Sequence, residues 1–306
     1  MKIQFVEPIS RGWDRMTQIL FRPFDIGKWF ALGFTAFLAG LTDWNGGSGG
    51  GNGGGGGGGR HDFEDFVQFP YNAWDWLMSH PGWFTLIIIG LVLLVAFIVL
   101  LTWLSSRGKF MYLDNVVHNR SLVTQPWREY KRHGDSLFIW RFFFGLVCMA
   151  VFIILFIQVF YLIVDIHERG FMSQLLPVIG MGLVFLAVFV ILGYISLFLT
   201  DFVVPIMYIN DVSAVTGWQQ FLSLFARHWG YFMLYGILVF ILFFFTMLVI
   251  VAAGFLTCCI GFLFLVIPYI SSVVLLPVST FFRSFSLEFL EQFGPEYKIF
   301  PEVASE

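Results

Sequence analysis

An all-α, polytopic membrane fold is what three observations predict. The chain is 58% hydrophobic and only 12% charged. Its apolar residues gather into charge-free stretches of bilayer length, and its basic residues fall almost entirely on one side of those stretches. A hydrocarbon layer of about 30 Å takes roughly 20 helical residues, and the sequence supplies that length several times.

The order of elements begins with a cytoplasmic segment, residues 1–28. In "SRGWDRMTQILFRPF", Trp13, Met16, Leu20 and Phe24 oppose Arg11, Asp14, Arg15 and Arg22, the split of an amphipathic interfacial helix. Arg11, Arg15, Arg22 and Lys28 are candidate contacts to anionic lipid, each attracted by about 1 kcal/mol. No small-residue cleavage site follows, so no removable signal peptide is expected. The membrane domain, 29–282, carries six expected spans arranged as three hairpins: 29–44, 82–106, 142–164, 174–200, 229–253 and 260–282. The first is short and relies on Lys28 snorkelling and on Trp29 and Trp44 sitting at the interfaces. Pro268 and Pro277 should bend the sixth, either as a functional irregularity or as a packing kink. Residues 283–306 are read as a cytoplasmic tail.

Charge fixes the orientation. With a cytoplasmic N-terminus, the inner segments 1–28, 107–141, 201–227 and 283–306 hold 15 of the 17 Lys and Arg, leaving only Arg60 and Arg169 outside. Both termini then face the cytoplasm of a multi-pass cell-membrane protein.

The outer loop after the first span contains "NGGSGGGNGGGGGGGR", twelve glycines in residues 45–60. It lacks the Lys-Ser/Thr of a phosphate loop and no strand precedes it, so it reads as flexible linker of about 20 Å mean span. The aromatic and acidic stretch behind it, from His61 to Trp83, reads as an interfacial belt in preference to a ligand platform. On the inner side, "TGWQQFLSLFARHW" places Trp218, Phe221, Leu222, Phe225 and Trp229 on one face and Gln219, Gln220, Ser223 and Arg227 on the other. Thr216 and Gln219 have capping-box spacing. Trp218 and Arg227 join the candidate lipid or partner contacts.

Residues 111–127, "MYLDNVVHNRSLVTQPW", and 207–218, "MYINDVSAVTGW", share Met-Tyr, an Asp or Asn, then Ser-x-Val-Thr and Trp. Their equal placement after the second span of a hairpin suggests an internal repeat in parallel orientation, unlike the inverted repeats of many transporters.

Chemistry is sparse. Arg141, Asp165, Asp201 and Arg227 lie at span edges, where interface anchoring explains them, and His118, Lys109, Arg128, Lys131, Arg132 and His133 form a basic face expected to be solvated. No short-spaced histidine pair, paired carboxylates or nucleophile with a base is visible, so no catalytic residue, metal site or cofactor is expected. Cys148, Cys258 and Cys259 support no disulfide framework, and the adjacent pair reads as apolar filler before any redox or metal role. A net charge of −3 argues against nucleic acid as a partner.

The stretch "FRPFDIGKWFALGFTAFLAG" carries Pro23, Phe24, Asp25, Gly27, Lys28 and Trp29. With the glycine tract it resembles a prokaryotic integral membrane family of unassigned function, whose members show Pro-Phe-Asp-x-Gly-Arg/Lys-Trp before the first span. More distantly, the layout is similar to the membrane domain of bacterial glycerophosphoryl diester phosphodiesterases, without their soluble catalytic barrel or acidic metal ligands. The resemblance implies membrane location and fold. The residues themselves point first to a non-enzymatic organiser of membrane lipids or membrane-protein partners, and second to a transporter or channel for a neutral or lipid-like solute.

Overall fold

The computed structural model describes residues 3–43, 72–257 and 260–300. Trp44, the glycine run, residues 61–71 of the aromatic stretch and the Cys258–Cys259 pair lie outside the described residues. Every regular element among the described residues is helical. In order they are α1 (Val6–Phe21), α2 (Ile26–Gly40), a short α3 over residues 72–79, α4 (Pro81–Val117), α5 (Thr124–Glu129), α6 (Lys131–Arg169) and α7 (Leu175–Phe198). A π-helical turn, Leu199–Val203, carries α7 into α8 (Val204–Asn210). Then come α9 (Ala214–Leu256), α10 (Ile260–Val266), α11 (Pro268–Val274) and α12 (Leu276–Glu291).

Four helical runs are long and apolar enough to cross a membrane: Pro81–Val117, Lys131–Arg169, Phe171–Asn210 and Ala214–Leu256. The α11–α12 pair makes a fifth if it counts as one broken span. Six were expected. The first expected span is α2, whose 15 residues rise about 22 Å, short of a bilayer core. The sixth is three helices, because Pro268 opens α11 and Pro277 lies in the first turn of α12, each withholding an N–H from the preceding turn. The α11–α12 bend is 62°.

Two compact units divide the chain differently from the tail, membrane domain and tail read from sequence. One gathers described residues of Gly51–Leu101 and Phe144–Val190. Most of its large apolar side chains, Leu93, Phe156, Leu176 and Leu183 among them, are exposed, which suits a hydrocarbon solvent rather than water.

The other unit gathers described residues of Met1–Gly50, Thr102–Phe143 and Ile191–Glu306, and it holds an aromatic core. Phe202 stacks on Phe221 at 5.6 Å, Tyr235 on Phe285 at 5.4 Å and Phe232 on Phe293 at 4.8 Å. Such pairs add about 0.5–1.5 kcal/mol each beyond area burial. The segment read as a tail is part of this core: Ser284 to Leu290 of α12 are buried. α1 lies along α12, and its Gly12 permits the approach, since a Cβ there would meet the Phe285 backbone nitrogen at 3.0 Å.

The amphipathic segment after residue 213 is helical as expected, but it begins at Ala214 with Ser213 as its cap, accepting from the Thr216 N–H. Thr216 is thus inside the helix and not its cap. His228 has non-helical angles, φ −133° and ψ 30°, which set the amphipathic half of α9 apart from its apolar half. The buried face is Ala214, Gly217, Phe221 and Leu224, while Leu222 and Trp229 are exposed.

Candidate functional site

The corner between α1 and α2 is built by the Pro-Phe-Asp-x-Gly-Lys-Trp motif. Asp25 caps α2, its carboxylate accepting from the N–H groups of Gly27 at 2.7 Å and Lys28 at 3.3 Å. The last carbonyls of α1 have no helical partner and need one. Lys28 Nζ donates to the Ile19 carbonyl at 2.7 Å, and Trp29 Nε1 to the Leu20 carbonyl at 2.9 Å. Lys28 also reaches Asn119 Oδ1 at 2.6 Å, so its ammonium ties three segments together where a snorkelling anchor was expected. Outward from this corner, Phe21, Phe24, Ile26 and Phe30 are exposed.

The remaining contact candidates separate into bonded and open groups. Arg11 pairs with Glu7 and lies 3.7 Å from Glu288; Arg15 pairs with the buried Glu288 and covers the Phe300 ring at 3.5 Å. These two arginines therefore fasten α1 to α12 as well as carrying charge. Arg22 and Arg227 are exposed. Trp218 is turned inward, stacked on Trp140 at 5.1 Å, with its Nε1 buried and unpartnered. Pro268 and Pro277 sit at the two helix breaks.

A second centre was not legible as such in the sequence. Asp43, just past α2, forms ion pairs with Lys109 of α4 and, at 3.0 Å, with Arg141 of α6. Lys109, expected on a solvated face, is 1% exposed and also donates to Thr200 Oγ1 at 3.0 Å. Arg141, expected to anchor at an interface, spreads its guanidinium over Ser105 Oγ at 3.1 Å and Thr42 Oγ1 at 2.8 Å. Arg283 of α12 donates to the Thr200 carbonyl at 2.8 Å, and Tyr235 of α9 donates to Asp201 Oδ2 at 2.8 Å. Thr200 and Asp201 both lie on the π-helical turn, a local irregularity common at functional positions. Each long helix thus sends a polar side chain to one place, and α2 is held there by the Ser105 hydroxyl on the Ala39 carbonyl, 2.8 Å. The signal was spread over about 240 residues, in small groups near 42, 105, 141, 200, 235 and 283 that no local spacing connects.

A third group binds the turn that follows α4. Asp114, fully buried, accepts from Arg120 at 2.7 Å, Tyr208 at 3.0 Å and Tyr130 at 3.3 Å. Burial pushes the Tyr130 phenol above its ordinary value, which keeps it a donor at neutral pH. His133, also expected to be solvated, is 8% exposed and pairs through Nε2 with Asp211 at 2.8 Å. Among the described residues no group of three or more His, Cys, Asp or Glu is placed to hold a metal.

Helices of this length and exposure define an all-helical protein suited to an apolar environment. The chain belongs to DUF7544, a family of unknown function, whose family model matches residues 3–271. No curated protein and no solved structure matches it.

Proposed function

We propose that this is a non-enzymatic, multi-pass cell-membrane protein with a cytoplasmic N-terminus, which gathers anionic lipid or membrane-protein partners at the inner leaflet. The observation that carries the reading is the α1–α2 corner, where exposed Phe21, Phe24 and Ile26 flank exposed Arg22. Rings to enter the acyl boundary beside a cation to meet headgroups are the composition of an interfacial anchor. The distribution of Lys and Arg supports the orientation. The Met-Tyr repeat supports a layout of related units, since Tyr208 of one copy donates to Asp114 of the other. The similarity to the phosphodiesterase membrane domain supports layout alone.

Arg11 and Arg15 are poor probes, because reversing them also breaks their pairing with Glu288. The test is Arg22→Glu with Phe24→Ser in the full chain, reconstituted with spin-labelled lipids. At about 1 kcal/mol per charge near the surface, selectivity for anionic over zwitterionic lipid should fall several-fold; unchanged selectivity removes the proposal.

A transport reading is favoured by a different observation, the breaks at Pro268 and Pro277 together with the buried Lys109 and its half-buried neighbours Asp43 and Arg141. Discontinuous helices and enclosed ionisable groups are the usual parts of a solute path. Vesicles holding the protein should then pass a neutral or lipid-like solute at a rate that Pro268→Ala changes. Absence of flux across a broad panel counts against this reading and leaves the first untouched.

A further inference from the structure

The two half-buried carboxylates of the second centre are treated differently by their surroundings. Asp43 is paired by two cations, Lys109 and Arg141. Asp201 has none within salt-bridge distance among the described residues; its one hydrogen bond from a side chain comes from Tyr235, which is 0% exposed. The cation best placed to serve it, Arg283, is 6% exposed and spends its bond on the carbonyl of the preceding residue, Thr200. Around Asp201 lie buried Leu199 and Phe202 of its own turn. The charged and titratable groups facing it are Arg283 from α12, Tyr235 from α9, Lys109 from α4 and Asp43 behind α2.

A half-buried carboxyl among apolar side chains and without a direct counter-ion is shifted toward the neutral acid, and a neighbouring arginine that is only carbonyl-bonded is free to stabilise the ionised form. We propose that Asp201 is a proton-binding site that takes up and releases one proton from solvent, with the Arg283 guanidinium moving from the Thr200 carbonyl toward the Asp201 carboxylate when the proton leaves. The proton goes to water, the carboxylate keeps the electron pair, and the charge it gains is met by a guanidinium already in the cluster. Because Thr200 and Asp201 sit on the π-helical turn between α7 and α8, proton release changes which hydrogen bond holds that turn. The site is separate from the α1–α2 corner and shares Asp43 and Lys109 as neighbours with the transport reading, but proton binding is read without lipid selectivity or flux, so either of those readings can fail without it.

The test is infrared difference spectroscopy of the full-length protein in lipid nanodiscs, titrated in pH. A carbonyl band of a protonated carboxylic acid should bleach as pH rises, disappear in Asp201→Asn and persist in Asp43→Asn. Asparagine is the neutral isostere of the acid, so the fold is expected to hold. Tyr235→Phe is the second variant: it removes the phenol donor, and the band should move to higher frequency. A band that survives in Asp201→Asn, a band unmoved in Tyr235→Phe, or no titrating carboxylic acid at all would overturn the proposal.

Discussion

At the scale of single residues, the decisive feature is that Asp43 serves two cations at once. Removing one partner of a buried ion pair leaves the other charge stranded, typically at about 3–5 kcal/mol, whereas removing both is far milder. Asp43→Asn is therefore expected to lower stability by about 3 kcal/mol, and adding Lys109→Met to restore part of it, read by thermal unfolding in detergent. Equal losses in the single and double variants would show that the pair is not enclosed in the way described. Sequence could not reveal this pairing. Lys109 sits among Arg107, Arg128, Lys131 and Arg132, a run that has every mark of a solvated face. What distinguishes Lys109 is the side of α4 it occupies, where Gly108 admits the α2 backbone: a Cβ there would lie 2.6 Å from Ala39 N. A rule that reads charge by position along the chain has no access to that contact.

At the scale of elements, the motif before α2 acts as a joint between two helices. Losing a helix N-cap costs about 1 kcal/mol, so Asp25→Ala should lower the melting temperature by a few degrees. Trp29→Phe keeps the ring against Phe21 and Phe24 but deletes the bond to the Leu20 carbonyl, a loss of about 1 kcal/mol. A Trp29→Phe protein as stable as the parent would mean that carbonyl is satisfied by water instead. The helices themselves were legible, because long charge-free runs admit little else. Their ends were not. The bend expected at Pro268 and Pro277 is a break into separate helices, because the effect of each proline on backbone hydrogen bonding depends on what packs beside it, here α2, through Val273 on Gly33 and the Tyr269 hydroxyl on the Phe30 carbonyl at 3.0 Å.

At the scale of the whole molecule, the aromatic core draws on residues far apart in the chain, and α12 is an integral part of it: Phe285, Leu287, Phe289 and Leu290 are all 0% exposed. A chain stopped before Leu276 should fail to give a monodisperse peak in fluorescence-detected size exclusion, whereas removal of a true tail leaves that peak intact. Low charge density predicted the class of fold; it carried no information on the division into two units, because that division follows contacts among α1, α2, α11 and α12. The packing of α1 on α12 also sets an order in time. During synthesis α1 emerges about 255 residues ahead of its partner, and at roughly 5–20 residues per second Gly12, Met16 and Arg15 wait tens of seconds before Phe285 and Glu288 exist to receive them. Through that interval the first helix must be sheltered by the membrane surface or by a chaperone, so slowing the ribosome near the last helix should raise degradation of the nascent protein more than an equal pause near the first.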